Sequence, residues 1–170
     1  MRVQFTAYGL NALQRGFKEA PAVARAELLR AGQEAVLMLK SAIVGAFPHH
    51  SGVTSTSFSS SAFSTPMGVL GLVGSAAPVA LFVELGTKPH TPPIQPLIQW
   101  VQDVLGKQGD EAFIAARGIQ RKIRARGTPA KHVIRDTALR TEPAVVQIFE
   151  AAAQRVATHL AGSGGAGGAA

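Results

Sequence analysis

Residues 21–47 restrict the fold more than any other part of this chain, because they predict one helix of about 25 residues. Apolar side chains recur there at spacings of three, four and seven, which is the period of one helix face. They are Ala22, Ala26, Leu29, Val36, Leu39, Ile43 and Phe47. Pro21 suits a first helical turn, and Gly45 and Pro48 are placed to end the helix. A helix about 37 Å long, at 1.5 Å per residue, needs a partner surface along much of its length.

The segment after this helix predicts a small β unit. Helix-forming residues give way to Ser, Thr, Gly, Val and Phe over residues 51–75. We expect two strands, at about 53–63 and 68–74, joined by a turn at residues 65–66. An extended Ser-rich arm is the alternative for the first strand. Residues 76–85 fit either a short helix or a strand.

The two ends of the chain differ in character. Residues 2–8 alternate between apolar and polar side chains up to Gly9, which predicts a half-buried strand. Residues 161–170 contain only Gly, Ala and one Ser, so we expect a flexible tail. No apolar signal core opens the sequence, and no segment has the roughly 20 apolar residues of a membrane span. We therefore expect a soluble protein without membrane contact.

Three helices are predicted in the C-terminal half. The first has an apolar face of Ile94, Leu97, Ile98, Val101, Val104 and Leu105, with Trp100 beside it. The second is expected to begin at Asp110 as N-cap and to end before Gly127, with Ala112, Ala116, Ile119 and Ile123 on one face. The third is expected to begin at Thr141 as cap and to bury Val145, Phe149, Ala152, Val156 and Leu160. The sequence therefore predicts an α+β fold, with the long N-terminal helix packed on a small antiparallel β-sheet, further helices at the C-terminal side, and one domain over residues 1–160.

The composition argues against several kinds of chemistry. The absence of cysteine excludes disulfides, thiolate nucleophiles and thiolate zinc sites. His49 and His50 are adjacent, and neither they nor the other histidines form a pattern with metal-ligand spacing, so we expect no metal site. The sequence contains no Gly-x-Ser-x-Gly motif, close carboxylate pair or phosphate-binding loop. We therefore expect no enzyme, no catalytic residues and no cofactor.

The chain is basic, with a net charge of +7, yet only 16% of its residues are charged. A low charged fraction is typical of a surface partly covered by other protein. The positive charge gathers on the second C-terminal helix, at Arg117, Arg121 and Arg124 on one face, with Lys122 and Arg126 beside them. Three interpretations stay open for this face: a solvated helix surface, contact with DNA phosphates, or contact with an acidic protein.

Residues 81–93, LFVELGTKPHTPP, predict a stiff connector between two elements. Gly86 can take a positive φ, and Thr87 can bond to nearby backbone. Each of the three prolines restricts the residue before it to extended conformations. A fixed, exposed loop suits contact with a neighbouring subunit better than catalysis. The pair Gly-Thr recurs at residues 127–128.

Two segments carry a pattern that resembles a known family. They are FVELGTKPHTPPIQPLIQWV at residues 82–101 and ARGIQRKIRARGTPAKHVIRDTAL at residues 116–139. An aromatic-Val-Glu core before Gly-Thr, a Pro-His-Pro-Pro segment, a Trp and a second Gly-Thr resemble the tail-completion or minor tail (neck) proteins of long-tailed bacteriophages, similar to minor tail protein Z of lambda-like phages. The matching positions here are Phe82, Glu84, Gly86, Thr87, His90, Pro92, Pro93, Trp100, Gly127 and Thr128.

Two positions depart from that pattern. Leu85 replaces the commoner aromatic residue before Gly-Thr. The sequence KHVIRDTAL replaces the usual Pro-Phe-hydrophobic-Arg-Pro-Ala-Leu, although Arg135, Ala138 and Leu139 remain in step. The resemblance therefore extends to the family and not to one subfamily.

The resemblance implies a non-enzymatic structural virion protein of the neck, the head-tail connector, made in the cytoplasm of the bacterial host. It implies a ring, commonly a hexamer, that joins the tail to the head and meets the head-closure, tail terminator and tail tube proteins. The implied assembly interface is Phe82, Glu84, Gly86, Thr87, Lys88, His90, Pro92, Pro93 and Trp100. The basic helix would face an acidic ring or the packaged DNA in the lumen. A tail terminator that ends tube polymerisation, or a basic DNA-binding accessory protein, are the alternatives.

Overall fold

The computed structural model describes residues 2–5, 21–48 and 56–164. The elements in chain order are β1 (Arg2–Phe5), α1 (Pro21–Ala46), β2 (Phe58–Thr65), β3 (Gly68–Ser75), α2 (Pro78–Leu85), α3 (Ile94–Leu105), α4 (Gly109–Arg126) and α5 (Val133–Gly164). The long N-terminal helix α1 packs on a small antiparallel sheet, and four helices follow on the C-terminal side. The predicted α+β fold is confirmed. No helix in the described ranges is long and apolar enough to cross a membrane.

The chain divides into two compact units. The first comprises Met1–Ala46, Phe58–Ser75 and Ile134–Ala170, and the second comprises Phe47–Ser57 and Ala76–Val133. A single domain over residues 1–160 stays a prediction. Helix α5 continues through residues 161–164 of the predicted tail, and residues 165–170 lie outside the described part of the chain.

The sheet of the first unit has β3 at its centre, with the order β1-β3-β2. Strand β3 pairs antiparallel with both neighbours, so that Arg2 lies opposite Gly74 and Phe58 lies opposite Ser75. A two-residue loop joins β2 to β3, close to the predicted turn. Both predicted hairpin strands are confirmed as strands, but residues 53–55 of the first lie outside the described ranges. Residues 6–8 of the predicted N-terminal strand lie outside them as well.

Helix α1 lies on the sheet through small residues. A Cβ added at Gly32 would come within 2.4 Å of Val69 Cγ1 of β3, so only a glycine permits this approach. Alanines flank that position at Ala31 and Ala35, and both are fully buried. At this position the backbone of α1 approaches the sheet directly, without a side chain between them.

The predicted apolar stripe of α1 is right in its second half and wrong in its first. Val36, Leu39, Ile43 and Phe47 are buried as expected. Ala22 and Ala26 are exposed and Leu29 is half-buried, while Ala24, Leu28, Ala31 and Ala35 form the buried side. In an alanine-rich helix, hydrophobicity alone does not identify the buried face, because Ala occurs on every side and only shape selects among them.

Helix α5 begins eight residues earlier than expected. The predicted cap at Thr141 is wrong, because that residue lies inside the helix and its hydroxyl donates to the Thr137 carbonyl oxygen at 2.9 Å. Pro143 also lies inside α5. The predicted buried face is confirmed at Val145 and Ala152, which are 8% and 0% exposed.

The second unit contains α2, α3 and α4. Helix α3 has the predicted bounds, and the fully buried residues Val101, Ala112 and Ala116 join it to α4. Partly buried apolar side chains surround them, including Ile94, Leu97, Ile98, Trp100 and Ile119. The predicted N-cap of α4 is wrong, because Gln108 occupies the cap and Asp110 lies in the first turn, where a negative charge suits the helix dipole.

Candidate functional site

The two Gly-Thr pairs of the sequence meet in the structure. Thr87 and Thr128 form an isolated antiparallel bridge, with backbone N–H···O distances of 3.0 and 3.2 Å in the two directions. Their hydroxyl oxygens lie 2.9 Å apart, and the Thr128 N–H lies 3.2 Å from Thr87 Oγ1. We call the four residues Gly86, Thr87, Gly127 and Thr128 the Gly-Thr bridge. It joins the C-terminal ends of α2 and α4.

Both glycines of the bridge adopt backbone conformations that other residues avoid. Gly86 has φ 71° and ψ −174°, and Gly127 has φ 68° and ψ −158°. Positive φ combined with an extended ψ is a region that essentially only glycine occupies. The positive φ expected at Gly86 is confirmed, and the sequence did not single out Gly127 for the same reason.

A side chain at either glycine would collide with the other strand of the bridge. A Cβ at Gly86 would lie 2.4 Å from the Thr128 carbonyl oxygen, and a Cβ at Gly127 would lie 1.9 Å from the Thr87 carbonyl oxygen. The obstructing atoms are backbone, which cannot rotate away as a side chain can. The bridge therefore requires glycine twice, once for each backbone that approaches.

The chain beyond the bridge caps α2. The Lys131 N–H donates to the Val83 carbonyl oxygen at 2.9 Å, and the His132 N–H donates to the Glu84 carbonyl oxygen at 3.2 Å. These bonds use carbonyl groups in the last turn of α2 that have no partner within the helix. His132 is the one non-glycine residue with positive φ, at 49°, in the described part of the chain. The C-terminal end of α2 is thus held by the backbone of residues 128–132.

Helix α2 has an inverted distribution of side chains. Its single charged residue, Glu84, is 1% exposed, and Ala80 beside it is also buried. The side chains that it exposes are large and apolar: Val79 at 51%, Leu81 at 40%, Phe82 at 51% and Leu85 at 60%. We call these four residues the α2 face. From the sequence, Phe82 was named as an interface residue, and Val79, Leu81 and Leu85 were missed. A helix with Glu84 on its buried side would have placed all four on its exposed side.

Glu84 does not lie on a surface that a neighbouring subunit can contact. Its side chain is in the interior, and among the described residues no buried side-chain nitrogen or oxygen lacks a hydrogen-bond partner. Burial of an ionisable group is costly unless its oxygens are hydrogen-bonded. The Glu84 side chain is therefore hydrogen-bonded within the protein, on the side of α2 away from the exposed α2 face.

The connector after the bridge is exposed and anchored at two points. Lys88, His90 and Pro93 are exposed, whereas Pro92 is half-buried. His90 Nδ1 lies 2.9 Å from the Lys88 carbonyl oxygen, and Gln120 Nε2 of α4 donates to the Pro92 carbonyl oxygen at 2.8 Å. Trp100 packs on the buried cluster of α3 and α4. The predicted interface residues thus divide into an exposed group at the surface and a supporting group beneath it.

All five cations predicted on the basic helix have exposed side chains. Arg117 donates to Gln120 Oε1 at 3.2 Å, and Arg121, Lys122, Arg124 and Arg126 are likewise exposed. None of the five pairs with a carboxylate of the described residues. Arg124 and Arg126 lie in the last turn, where positive charge is favourable to the helix dipole.

Among the described residues, no group of three or more His, Asp or Glu side chains is placed to hold a metal ion. His49 and His50 lie outside the described ranges. No protein-family model, curated protein or solved structure matches the chain.

Proposed function

We propose that the chain is a structural subunit of the neck of a long-tailed bacteriophage, which assembles as a ring between the head and the tail. The family resemblance of residues 82–101 and 116–139 supplies the kind of assembly. The observation that carries the proposal is the inverted helix α2, with its charge inside and four large apolar side chains outside. Contiguous exposed apolar patches of this sort are typical of protein–protein contact sites.

The α2 face is anchored at its C-terminal end by backbone hydrogen bonds, which favours assembly over a role for a mobile lid. The Gly-Thr bridge and the bonds from Lys131 and His132 fix its C-terminal end. Preorganised surfaces lose less conformational entropy on binding than flexible ones do. Association through the α2 face then requires little loss of conformational entropy from this helix.

The α2 face forms only the centre of the proposed interface. Eight helical residues span about 12 Å at 1.5 Å per residue, whereas a standard interface buries about 800 Å² on each partner. The exposed connector residues Lys88 and His90 follow it in sequence and supply a polar rim. An apolar centre with a polar rim is the usual anatomy of such interfaces. The resulting partners are a second copy of the chain and the adjacent head-closure, tail terminator and tail tube proteins.

The test compares the α2 face with apolar residues elsewhere. Phe82→Ser with Leu85→Ser removes the centre of the face, and Leu37→Ser with Leu139→Ser removes two leucines of similar exposure, 60% and 62%, from α1 and α5. Light scattering after size exclusion would measure mass, alone and with the three candidate partner proteins. We expect the first pair to abolish the oligomer or partner complex and the second pair to leave it intact.

Phage assembly supplies the second readout. A phage that carries the Phe82→Ser and Leu85→Ser variant should accumulate unjoined heads and tails in electron micrographs, and the control variant should give complete particles. A wild-type protein that stays monomeric and binds none of the three partners, together with normal joining in phage that lack it, would overturn the proposal.

A further inference from the structure

The C-terminal half of α4 concentrates the positive charge of the chain. Residues 117–131 contain six Lys and Arg residues and no Asp or Glu. The five of them on α4 are exposed and have no carboxylate partner among the described residues. The helix dipole accounts for cations in the last turn, at Arg124 and Arg126, because its effect fades within one turn. It does not account for Arg117, Arg121 and Lys122.

These cations occupy two separate flanks of the helix. At about 100° per residue, Arg117, Arg121 and Arg124 fall within about 60° of one another, over a rise of about 10 Å. Lys122 and Arg126 fall on a second flank, about 150° away from the first. The buried side, with Ala112 and Ala116, lies about 130° from the first flank and about 80° from the second.

The surface of α4 between the two flanks, which we call the crest, carries only small side chains. Gly118 and Ala125 lie there, and both are exposed. A Cβ added at Gly118 would meet no atom within 4 Å, so the space above it is open. Nothing in the packing of α4 requires a glycine there. The C-terminal half of α4 is therefore a narrow ridge of small residues with positive charge on either side.

We infer that this ridge is a binding site for double-stranded DNA, seated in the major groove without reading its sequence. The groove is about 12 Å wide and a helix about 10–12 Å across, so the two flanks meet the phosphates of both walls. Gly118 and Ala125 allow close approach to the groove floor and offer no hydrogen bond to a base edge. Phosphate contacts then supply the affinity.

Double-stranded DNA fits the two flanks better than an acidic protein does. One protein face meets one side of a helix, and flanks about 150° apart do not both lie against it. A groove presents negative charge on two opposed walls. The inference does not rest on ring assembly, because the site lies on α4 and leaves the α2 face unused.

The first experiment measures the salt dependence of binding. Fluorescence anisotropy of the full chain with a mixed-sequence 24-base-pair DNA duplex would be recorded between 50 and 300 mM NaCl. For five phosphates we expect the logarithm of the binding constant to fall with that of salt with a slope of about −4.5, at about 0.9 per phosphate. Arg121→Gln with Arg124→Gln, or Lys122→Gln with Arg126→Gln, should each reduce that slope by about 1.8 and weaken binding at 100 mM NaCl at least tenfold.

The matched control removes equal charge elsewhere. Arg25→Gln with Lys40→Gln takes two cations from α1 and should leave the slope as in the wild type. If this control changes the slope as much as the α4 variants do, binding follows net charge and the site is wrong. The Phe82→Ser and Leu85→Ser protein should keep the wild-type slope, which separates this site from the proposed assembly surface.

The second experiment tests the groove. Gly118→Leu changes no charge and replaces a helical glycine, so it should stabilise the helix by about 0.5–1 kcal/mol. A bulky crest should nevertheless weaken DNA binding at least fivefold. Double-stranded RNA of equal length should bind more weakly than DNA, because its major groove is too narrow to admit side chains. Unchanged binding by Gly118→Leu, equal affinity for RNA, or stronger competition by polyglutamate than by DNA would each overturn the inference.

Discussion

At the scale of single residues, Gly86 and Gly127 differ from the other glycines of positive φ in what surrounds them. Gly106 has φ 66° and ψ 11°, in the left-handed helical region, and a Cβ there would meet nothing within 4 Å. Gly127 has nearly the same φ, yet a Cβ there would lie 1.9 Å from a backbone oxygen. Comparing Gly106 with Gly127 therefore separates two costs of replacing glycine. One is the strain of a positive φ, and the other is the collision of a side chain with backbone that approaches closely.

We therefore expect Gly127→Ala and Gly106→Ala to differ in their effect on stability. Gly106→Ala should cost about 1 kcal/mol, because it carries only the left-handed strain. Gly127→Ala should cost at least about 3 kcal/mol, because the collision adds to a strain of about 1–3 kcal/mol. Guanidinium unfolding with linear extrapolation measures both losses. Equal losses at the two positions would contradict a structural requirement for the close approach.

At the scale of elements, α5 contains a proline where a helix ordinarily has none. Pro143 is the eleventh residue of the helix and cannot donate a backbone hydrogen bond. Its neighbour Thr141 bonds through its hydroxyl to the carbonyl oxygens of Thr137 and Ala138, in the same stretch of helix. The helix is nevertheless continuous through both residues.

Pro143→Ala should consequently stabilise the protein. Proline costs about 3 kcal/mol more than alanine in a helix interior, and we expect a gain of about 1–3 kcal/mol. Thermal unfolding followed by circular dichroism measures the change. Glu142→Ala, at the adjacent exposed position, is the control and should change stability by less than about 0.5 kcal/mol. A loss of stability in Pro143→Ala would indicate that the helix needs a bend at this point.

An ion pair joins α1 to α5 within the first unit and makes stability depend on pH. Arg155 Nε donates to Glu27 Oε2 at 2.8 Å. This hydrogen bond, with smaller contributions from the charges of Arg30 and Arg155, lowers the pKa of Glu27 below its ordinary value of 4.5. Because the folded state has the lower pKa, the contribution is complete above pH 4.5 and is lost as pH falls through the folded-state pKa.

Arg155→Gln should therefore destabilise the protein at pH 7 and have a shrinking effect below pH 4.5. The difference should be small and should decrease with added salt, since the pair is exposed to solvent. Urea unfolding of both proteins from pH 3 to pH 7 gives the difference at each pH. Arg25→Gln removes an exposed arginine of α1 that pairs with no carboxylate in the described part of the chain, and its effect should not vary with pH in this range.

At the scale of the whole molecule, only one of the two proposed surfaces should be sensitive to salt. The α2 face is apolar, so association through it should persist between 0.1 and 0.5 M NaCl. DNA binding through α4 should fall steeply over the same range, because it depends on phosphate contacts. Sedimentation velocity of the protein and anisotropy of labelled DNA, in the same buffers, measure the two effects side by side. Loss of both together would indicate that charge also governs assembly.

The sequence predicts periodic elements well and contacts between distant residues poorly. The bounds of α1 and α3 follow from helical period and from the flanking Pro and Gly. The pairing of Thr87 with Thr128 depends on how the intervening helices fold back, which no local pattern specifies. The burial of Glu84 was missed for a related reason, because a lone carboxylate in an apolar run is ordinarily exposed.

The Gly-Thr bridge also bears on the order in which the chain folds. Its two threonines are 41 residues apart, and α3 and α4 lie between them. Closing so long a loop before those helices pack would cost chain entropy with only one residue pair in return. The α3–α4 hairpin connects elements that are close in sequence, so we expect it to form first and to bring the two ends together. We expect the bridge to form after the folding transition state, so that weakening it should speed unfolding and leave the folding rate nearly unchanged.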